Sequence, residues 1–210
     1  MNKFVLSLSF ALCTAFSAAG SVSAQSVVVR GIVFEVTNKN RAKMINNQSP
    51  LFVQSALAPA LDSGFKPVVA LDGEVFEQTL SNALKQNLIN ILERPTTTTD
   101  NKSVSKSVTG KVLPVITDDG LRDELISGNS FEITPEVILD ADNKAVAVTA
   151  EYRYERAEPI NKTEFAKFAL ASRVSVNLSD VYLASQYDAR SQTTTFLALK
   201  FAVLDPNDKN

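Results

Sequence analysis

Short runs of β-branched and aromatic residues, separated by polar turns, dominate the chain from residue 25 onward. The first run, Ser26–Val36, has the sequence SVVVRGIVFEV, which is typical of a β-strand. Similar runs predict further strands at Ser103–Val108, Gly110–Ile116, Phe131–Leu139, Ala145–Tyr154, Val174–Leu178, Val181–Tyr187 and Thr193–Leu204.

Alternation within two of these runs predicts which face of each strand is buried. Ala145–Tyr154 places Val146, Val148, Ala150, Tyr152 and Tyr154 on one face and Thr149, Glu151 and Arg153 on the other. The turn residues Asp140–Lys144 between two strands predict a hairpin. In the last run, Leu197, Leu199, Phe201 and Val203 share a face.

One segment, Glu74–Leu92, has the period of an amphipathic helix. An apolar stripe at helical spacing predicts one core-facing side, formed by Phe76, Leu80, Ala83, Leu84, Leu88, Ile91 and Leu92. Asp72 is placed to cap the start of this helix, and Pro95 marks its end.

The remaining segments have weaker patterns. Thr37–Pro50 and Thr117–Ser130 are polar and are interpreted as connections, Leu51–Leu61 as a short helix, and Thr163–Leu170 as one or two helical turns. The sequence therefore predicts a β-dominated α+β fold of amphipathic antiparallel strands and hairpins, with one main helix over residues 74–92 and a single domain over residues 25–210.

Residues 1–24 have the features of a signal peptide. Lys3 provides a positive start, Phe4–Phe16 is apolar, and Val22–Ala24 ends in small residues at the spacing of a cleavage site. The apolar part is shorter than the roughly 20 residues that a membrane-spanning helix needs. Cleavage before Gln25 would remove Cys13, which is the one cysteine of the chain. Export without disulfides favours the bacterial periplasm or outer membrane.

Composition excludes much enzyme chemistry. The 210 residues include no histidine and one cysteine, so triads with histidine, cysteine–histidine dyads and histidine-ligated metals are excluded. A formal charge of −2 lacks the excess of positive charge that is typical of nucleic-acid-binding proteins. The acidic pairs Asp118–Asp119 and Asp140/Asp142 lack the spacing of a calcium loop. We therefore predict no enzyme activity, no catalytic, cofactor or metal-binding residue and no cofactor, and we interpret Lys102, Lys106 and Lys111 as a solvated face.

The order of short motifs along the chain resembles the secretin domain of bacterial outer-membrane secretion channels. The resemblance starts with the strand Val29–Val36 and continues over most of the chain. The matching positions are Ile91, Leu92 and Pro95; Thr99–Asn101; Val108, Gly110 and Pro114; Gly128, Ile133, Pro135 and Val137; and Thr194–Val203. The family's Gly-Gly and its following proline-flanked segment are missing from Leu178–Thr195.

The resemblance implies an oligomeric channel, or a component of one, that serves protein, pilus or phage transport in the outer membrane. The implied partners are identical copies of the chain, secretion or pilus components, and the outer membrane. An alternative is a soluble periplasmic accessory or binding module that keeps the fold without a pore. The feature that separates the two alternatives is Leu178–Thr195, because a lipid-inserting lip needs a hairpin there and this segment is short and polar. Separately, the sequence leaves open whether Tyr152 and Tyr154 lie at a membrane interface or in a soluble sheet.

Overall fold

The computed structural model describes residues 25–54, 65–116, 122–159 and 165–204. Residues 1–24, which hold the predicted signal peptide, and Asp118–Asp119 lie outside these ranges. The described residues form two helices, α1 (Asn38–Asn46) and α2 (Gly73–Lys85). Their strands are β1 (Ser26–Thr37), β2 (Phe52–Gln54), β3 (Phe65–Pro67), β4 (Ala70–Asp72), β5 (Asn90–Glu93), β6 (Thr96–Asp100), β7 (Ser105–Ile116), β8 (Arg122–Leu139), β9 (Ala145–Pro159), β10 (Phe165–Asn177), β11 (Asp180–Asp188) and β12 (Thr193–Leu204).

The strands form three sheets in which every pairing is antiparallel. The first, which we call the base sheet, has the order β4-β11-β12-β1-β5, and β6 pairs with the other half of β1 on the same edge as β5. The second, which we call the long sheet, has the order β10-β9-β8-β7. The third is the small pair β2-β3. The β-dominated α+β fold that the sequence predicts is confirmed.

The base sheet is the middle layer, because both of its faces are buried. In β1, Val27, Val29 and Val33 face the long sheet, whereas Phe34 and Val36 face the helices. Strand β12 alternates in the same way, and Leu197, Leu199, Phe201 and Val203 lie on the side of the long sheet, as predicted. Burial on both faces explains why these strands are almost continuously apolar.

Helix α2 covers part of the outer face of the base sheet. Phe76, Leu80 and Ala83 are buried beneath it. The Asp72 side chain caps the helix by accepting hydrogen bonds from the backbone N–H groups of Glu74 and Val75. This part of the sequence prediction is confirmed.

The predicted end of this helix is wrong, because α2 stops at Lys85 and not at Leu92. Asn87 adopts a left-handed conformation with φ 52°. The Leu88 N–H then donates to the Ala83 carbonyl, and the Asn87 N–H donates to the Leu84 carbonyl. These two bonds form a Schellman C-cap, after which the chain enters β5. Leu88 is therefore buried outside the helix, and Leu92 lies in a strand.

Four weaker predictions also need correction. The interpreted loop at 37–50 contains α1, which Thr37 caps through its side chain. The interpreted short helix at 51–61 begins with strand β2, and its remainder lies outside the described residues. Residues 122–130 extend β8, and residues 165–170 begin β10. Alternating patterns there are weak because long antiparallel strands take much of their order from hydrogen bonding to neighbours distant in sequence.

The faces of β9 agree with the sequence pattern except at Val146, which is exposed because a bulge leaves it without a partner residue in β8. Val148, Ala150, Tyr152 and Tyr154 are buried between the two sheets, and Asp140–Lys144 forms the turn before the strand. The idea that the two tyrosines lie at a membrane interface is therefore wrong, since both belong to the core between the sheets. Neither described helix is long and apolar enough to cross a membrane.

Candidate functional site

The long sheet has two extended outer strands. Strand β7 pairs with β8 on one side, and β10 pairs with β9 at the opposite edge. Within the described residues, neither strand pairs with another strand on its outer side. They are 12 and 13 residues long, so each presents a long row of backbone donors and acceptors.

Strand direction makes these two edges complementary. Four antiparallel strands in one sheet alternate in direction, so β7 and β10 run opposite to each other. When β7 of one copy lies beside β10 of the next, the new pair is antiparallel as well. A head-to-tail contact of this kind continues the ladder without reversing any strand, and it closes into a ring when the rotation between copies allows it.

Two glycines face each other where edge strand β7 pairs with its neighbour β8. Gly110 of β7 pairs with Gly128 of β8, and both have positive φ, 151° and 141°. A Cβ on Gly110 would collide with the Ser127 carbonyl oxygen, and a Cβ on Gly128 would collide with the Thr109 carbonyl oxygen. The two backbones therefore approach as closely as they do because neither residue has a side chain. Both positions belong to motifs that the sequence singled out.

The outer face of the long sheet is charged in the part whose side chains are described. Four ion pairs lie on this face: Lys102–Glu136 at 3.0 Å, Lys106–Glu132 at 3.9 Å, Arg173–Glu136 at 3.8 Å and Arg173–Glu151 at 3.8 Å. Each exposed pair contributes little to stability. The interpretation of Lys102 and Lys106 as a solvated face is therefore confirmed. The Lys111 side chain lies outside the described set.

The turn between β6 and β7 connects the base sheet to the long sheet. Asn101 Oδ1 accepts a hydrogen bond of 2.9 Å from the Val137 N–H, and the Lys102 N–H donates to the Pro135 carbonyl at 2.7 Å. The Asn101 N–H donates to the Gln25 carbonyl. The Asn101 backbone thus bonds to the residue before β1, and its side chain bonds to β8, which gives a physical reason for the asparagine of the Thr99–Asn101 motif. Pro135 lies beyond the end of β7, so its missing N–H breaks no bond to that strand.

Polar side chains join the two sheets at the other end of their interface. Tyr154 Oη donates to Glu93 Oε2 at 3.3 Å, and Arg156 Nη1 lies 3.3 Å from Glu35 Oε1. Desolvation by burial raises the pKa of Glu93, although hydrogen bonds from Tyr154 and Asn129 and the charge of Arg156 partly oppose this effect. Sequence reasoning missed this cluster; the available signal was Glu35, an acidic residue inside the β-rich run Ser26–Val36.

The polar cluster lies next to the glycine pair. Arg156 pairs with Asn129 of β8 and with Phe168 of β10, which places them in one row across the long sheet. The next row contains Gly110, Gly128 and Ala157. The close contact between the glycines therefore lies in the row next to Arg156, whose side chain reaches the base sheet.

The remaining predicted positions have structural roles. Asp140 Oδ1 accepts hydrogen bonds from the Asp142 and Lys144 N–H groups and so organises the β8–β9 turn. The described residues contain no group of three or more histidine, cysteine or acidic side chains arranged to hold a metal ion. The Leu178–Thr195 region forms β11 and its turn into β12, within the base sheet.

Solved secretins share this fold. The type II secretion system secretin GspD of E. coli K12 aligns with 88% of this chain at a TM-score of 0.50 and 13% identity. A chain of the Klebsiella pneumoniae type II secretion system outer membrane complex, which contains PulD, PulS and the PulC HR domain, aligns with 89% at a TM-score of 0.50 and 13% identity. The alignments cover 51% and 41% of those chains, so this chain spans about half their length or less.

The fold is thus secretin-like, and the resemblance expected from the motif order is confirmed at the level of the fold. No family model and no curated protein matches the sequence.

Proposed function

We propose that the chain is exported through its first 24 residues and that residues 25–210 form one domain, which assembles with identical copies through the long sheet. The assembly is a secretin-like channel, or a component of one, in the outer membrane of a bacterial envelope. It serves transport of protein, pilus or phage together with other secretion components. The observation that carries this proposal is the pair of oppositely directed edge strands β7 and β10, whose outer sides are unpaired among the described strands.

Cysteine cross-linking tests this contact directly. Ser107 of β7 and Ser172 of β10 lie on the same face of the long sheet, since they pair with Phe131 and Tyr152. Within one chain they are three strand spacings apart across the sheet and two residues offset along it, roughly 16 Å, whereas a disulfide needs Cα atoms within about 7 Å. A disulfide between Ser107→Cys and Ser172→Cys therefore reports a contact between copies.

The expected result is a ladder of covalent multimers after mild oxidation of the envelope fraction. Ser105→Cys and Thr109→Cys are each combined with Ser172→Cys as well, so that the experiment covers three registers of β7 against β10 of the next copy. The matched control combines Ser107→Cys with Ser81→Cys on the exposed face of α2. The proposed contact is wrong if the control pair gives as strong a ladder of multimers as the test pairs. It is also wrong if every combination gives only monomers.

A second candidate is the soluble periplasmic module that keeps the fold without a pore. The charged outer face of the long sheet favours it, because Glu132, Glu136, Glu151 and Arg173 form ion pairs there. Osmotic shock distinguishes the two candidates. A channel stays with the membrane and runs as a heat-sensitive multimer in detergent, whereas the soluble module is released and sediments as a monomer.

A further inference from the structure

A groove of about 400 Å³ lies beside α2 on the outer face of the base sheet. Its floor comes from strands β1, β11 and β12 through Ile32, Val181 and Ala198. Its wall is the side of α2 that carries Phe76, Leu80 and Leu84. The groove is therefore apolar at its base, and its volume is within the range of ligand sites.

The groove exists because the outer face of the base sheet is only partly covered. Helix α2 lies over β4 and β11. At the far end of β1, Phe34 stacks on Phe196, and Phe52 of β2 packs edge-on against Phe196. The other half of β1, with Arg30 and Ile32, carries no helix among the described elements. Strands about 4.8 Å apart and helices about 10 Å wide leave room there for one further helix beside α2.

The rim of the groove is positively charged. Among the described residues, it contains Arg30, Arg94 and Lys200 against a single acid, Glu77. Lys200 Nζ pairs with Glu77 Oε1 at 2.7 Å. Arg30 and Arg94 are exposed, and within the described part of the chain neither forms an ion pair. Two available guanidinium groups thus flank an apolar floor, in a chain whose formal charge is −2.

We propose that this groove binds an acidic amphipathic helix of a partner protein. Aliphatic side chains at helical spacing pack on Ile32, Leu80 and Leu84, and aspartate or glutamate side chains pair with Arg30 and Arg94. Arginine suits this role because its planar guanidinium accepts a carboxylate in a two-point contact. The partner helix completes the layer that α2 begins, which is the recognition mode of a helix in a groove.

A synthetic peptide tests the proposal without knowledge of the natural partner. The probe is a fluorescein-labelled peptide of about 14 residues, four helical turns, with leucine on one face and glutamate on the other. A scrambled peptide of the same composition and a version with lysine in place of glutamate are the controls. Fluorescence anisotropy is expected to detect saturable binding of the probe alone, and that binding weakens as salt is added.

Two charge reversals locate the binding. Arg30→Glu with Arg94→Glu is expected to weaken probe binding by about tenfold or more, because both carboxylate contacts are lost. The matched control, Lys39→Glu with Lys43→Glu, changes the charge equally on the exposed surface of α1 and is expected to leave affinity unchanged.

A gain of affinity gives an independent readout. Glu77→Gln removes the one acid of the rim and frees Lys200, so the probe is expected to bind several-fold more tightly. A general loss of structure would not produce this result. The proposal is wrong if the scrambled peptide binds equally, if the arginine reversals have no effect, or if dodecanoate binds the groove while the probe does not.

Discussion

Gly110 and Gly128 lie opposite one another in β7 and β8, and a Cβ on either glycine would collide with the backbone carbonyl of the residue that precedes the other. Both have positive φ. The pair lies one row beyond Arg156, whose side chain reaches Glu35 of the base sheet. The approach of β7 to β8 at this point therefore depends on two glycines at once.

Alanine at either glycine is expected to destabilise the pairing of β7 with β8. Gly110→Ala and Gly128→Ala each combine an unfavourable φ with a collision against a backbone carbonyl, which costs about 1–3 kcal/mol. Denaturant unfolding measures this loss, and hydrogen exchange locates it in β7 and β8. Thr109→Ala, at the exposed neighbouring position, is the control, with an expected change within about 0.5 kcal/mol. Equal stability of all three variants would mean that the close approach is not present in solution.

Removal of the Asn101 side chain is expected to loosen the connection between the sheets. Asn101→Ala leaves the Val137 N–H without its acceptor and should lower the free energy of unfolding by about 1–3 kcal/mol. Asn101→Asp keeps an acceptor oxygen and is expected to retain most of the stability. Lys102→Ala removes only an exposed ion pair with Glu136 and should cost less than about 1 kcal/mol. A larger loss in Lys102→Ala than in Asn101→Ala would contradict the assigned role.

The sequence predicts strands that are buried on one or both faces, because apolar alternation is a local property. It correctly predicts β1, β12 and the hairpin before β9. It does not predict where α2 ends, because leucines continue at helical spacing past Lys85 while the left-handed Asn87 turns the chain toward β1. Leu88 is buried just after the C-cap and Leu92 lies in β5, although their spacing is also that of a continued helix.

The candidate site is less predictable than the core. Gly110, Gly128 and Asn101 stand out as members of motifs, but their roles depend on strand pairings between distant residues. The Tyr154–Glu93 contact joins positions 61 residues apart in the chain. The groove at α2 depends on which half of β1 the helix leaves uncovered, and this follows from the tertiary arrangement of sheet and helix.

The end of α2 can be tested at Asn87. Because this residue has φ 52°, Asn87→Val places a β-branched side chain in the left-handed region and is expected to cost about 1–2 kcal/mol. Asn87→Gly should be neutral or slightly stabilising. Asn90→Val makes the same change three residues later, at an exposed position of strand β5, where valine is well tolerated. If the helix instead continued through this segment, glycine would be the more harmful replacement at position 87.

The polar cluster between the sheets predicts a dependence of stability on pH. Burial raises the pKa of Glu93 in the folded chain above its ordinary value of 4.5, so the carboxylate costs stability at neutral pH. This cost disappears as pH falls through the raised pKa to below 4.5. Glu93→Gln, which still accepts the Tyr154 hydrogen bond, should therefore be more stable than the parent at pH 7, by a margin that narrows on acidification. Carboxyl NMR titration is expected to place the Glu93 midpoint above 4.5, and higher still in Tyr154→Phe; a midpoint at or below 4.5 would contradict the prediction.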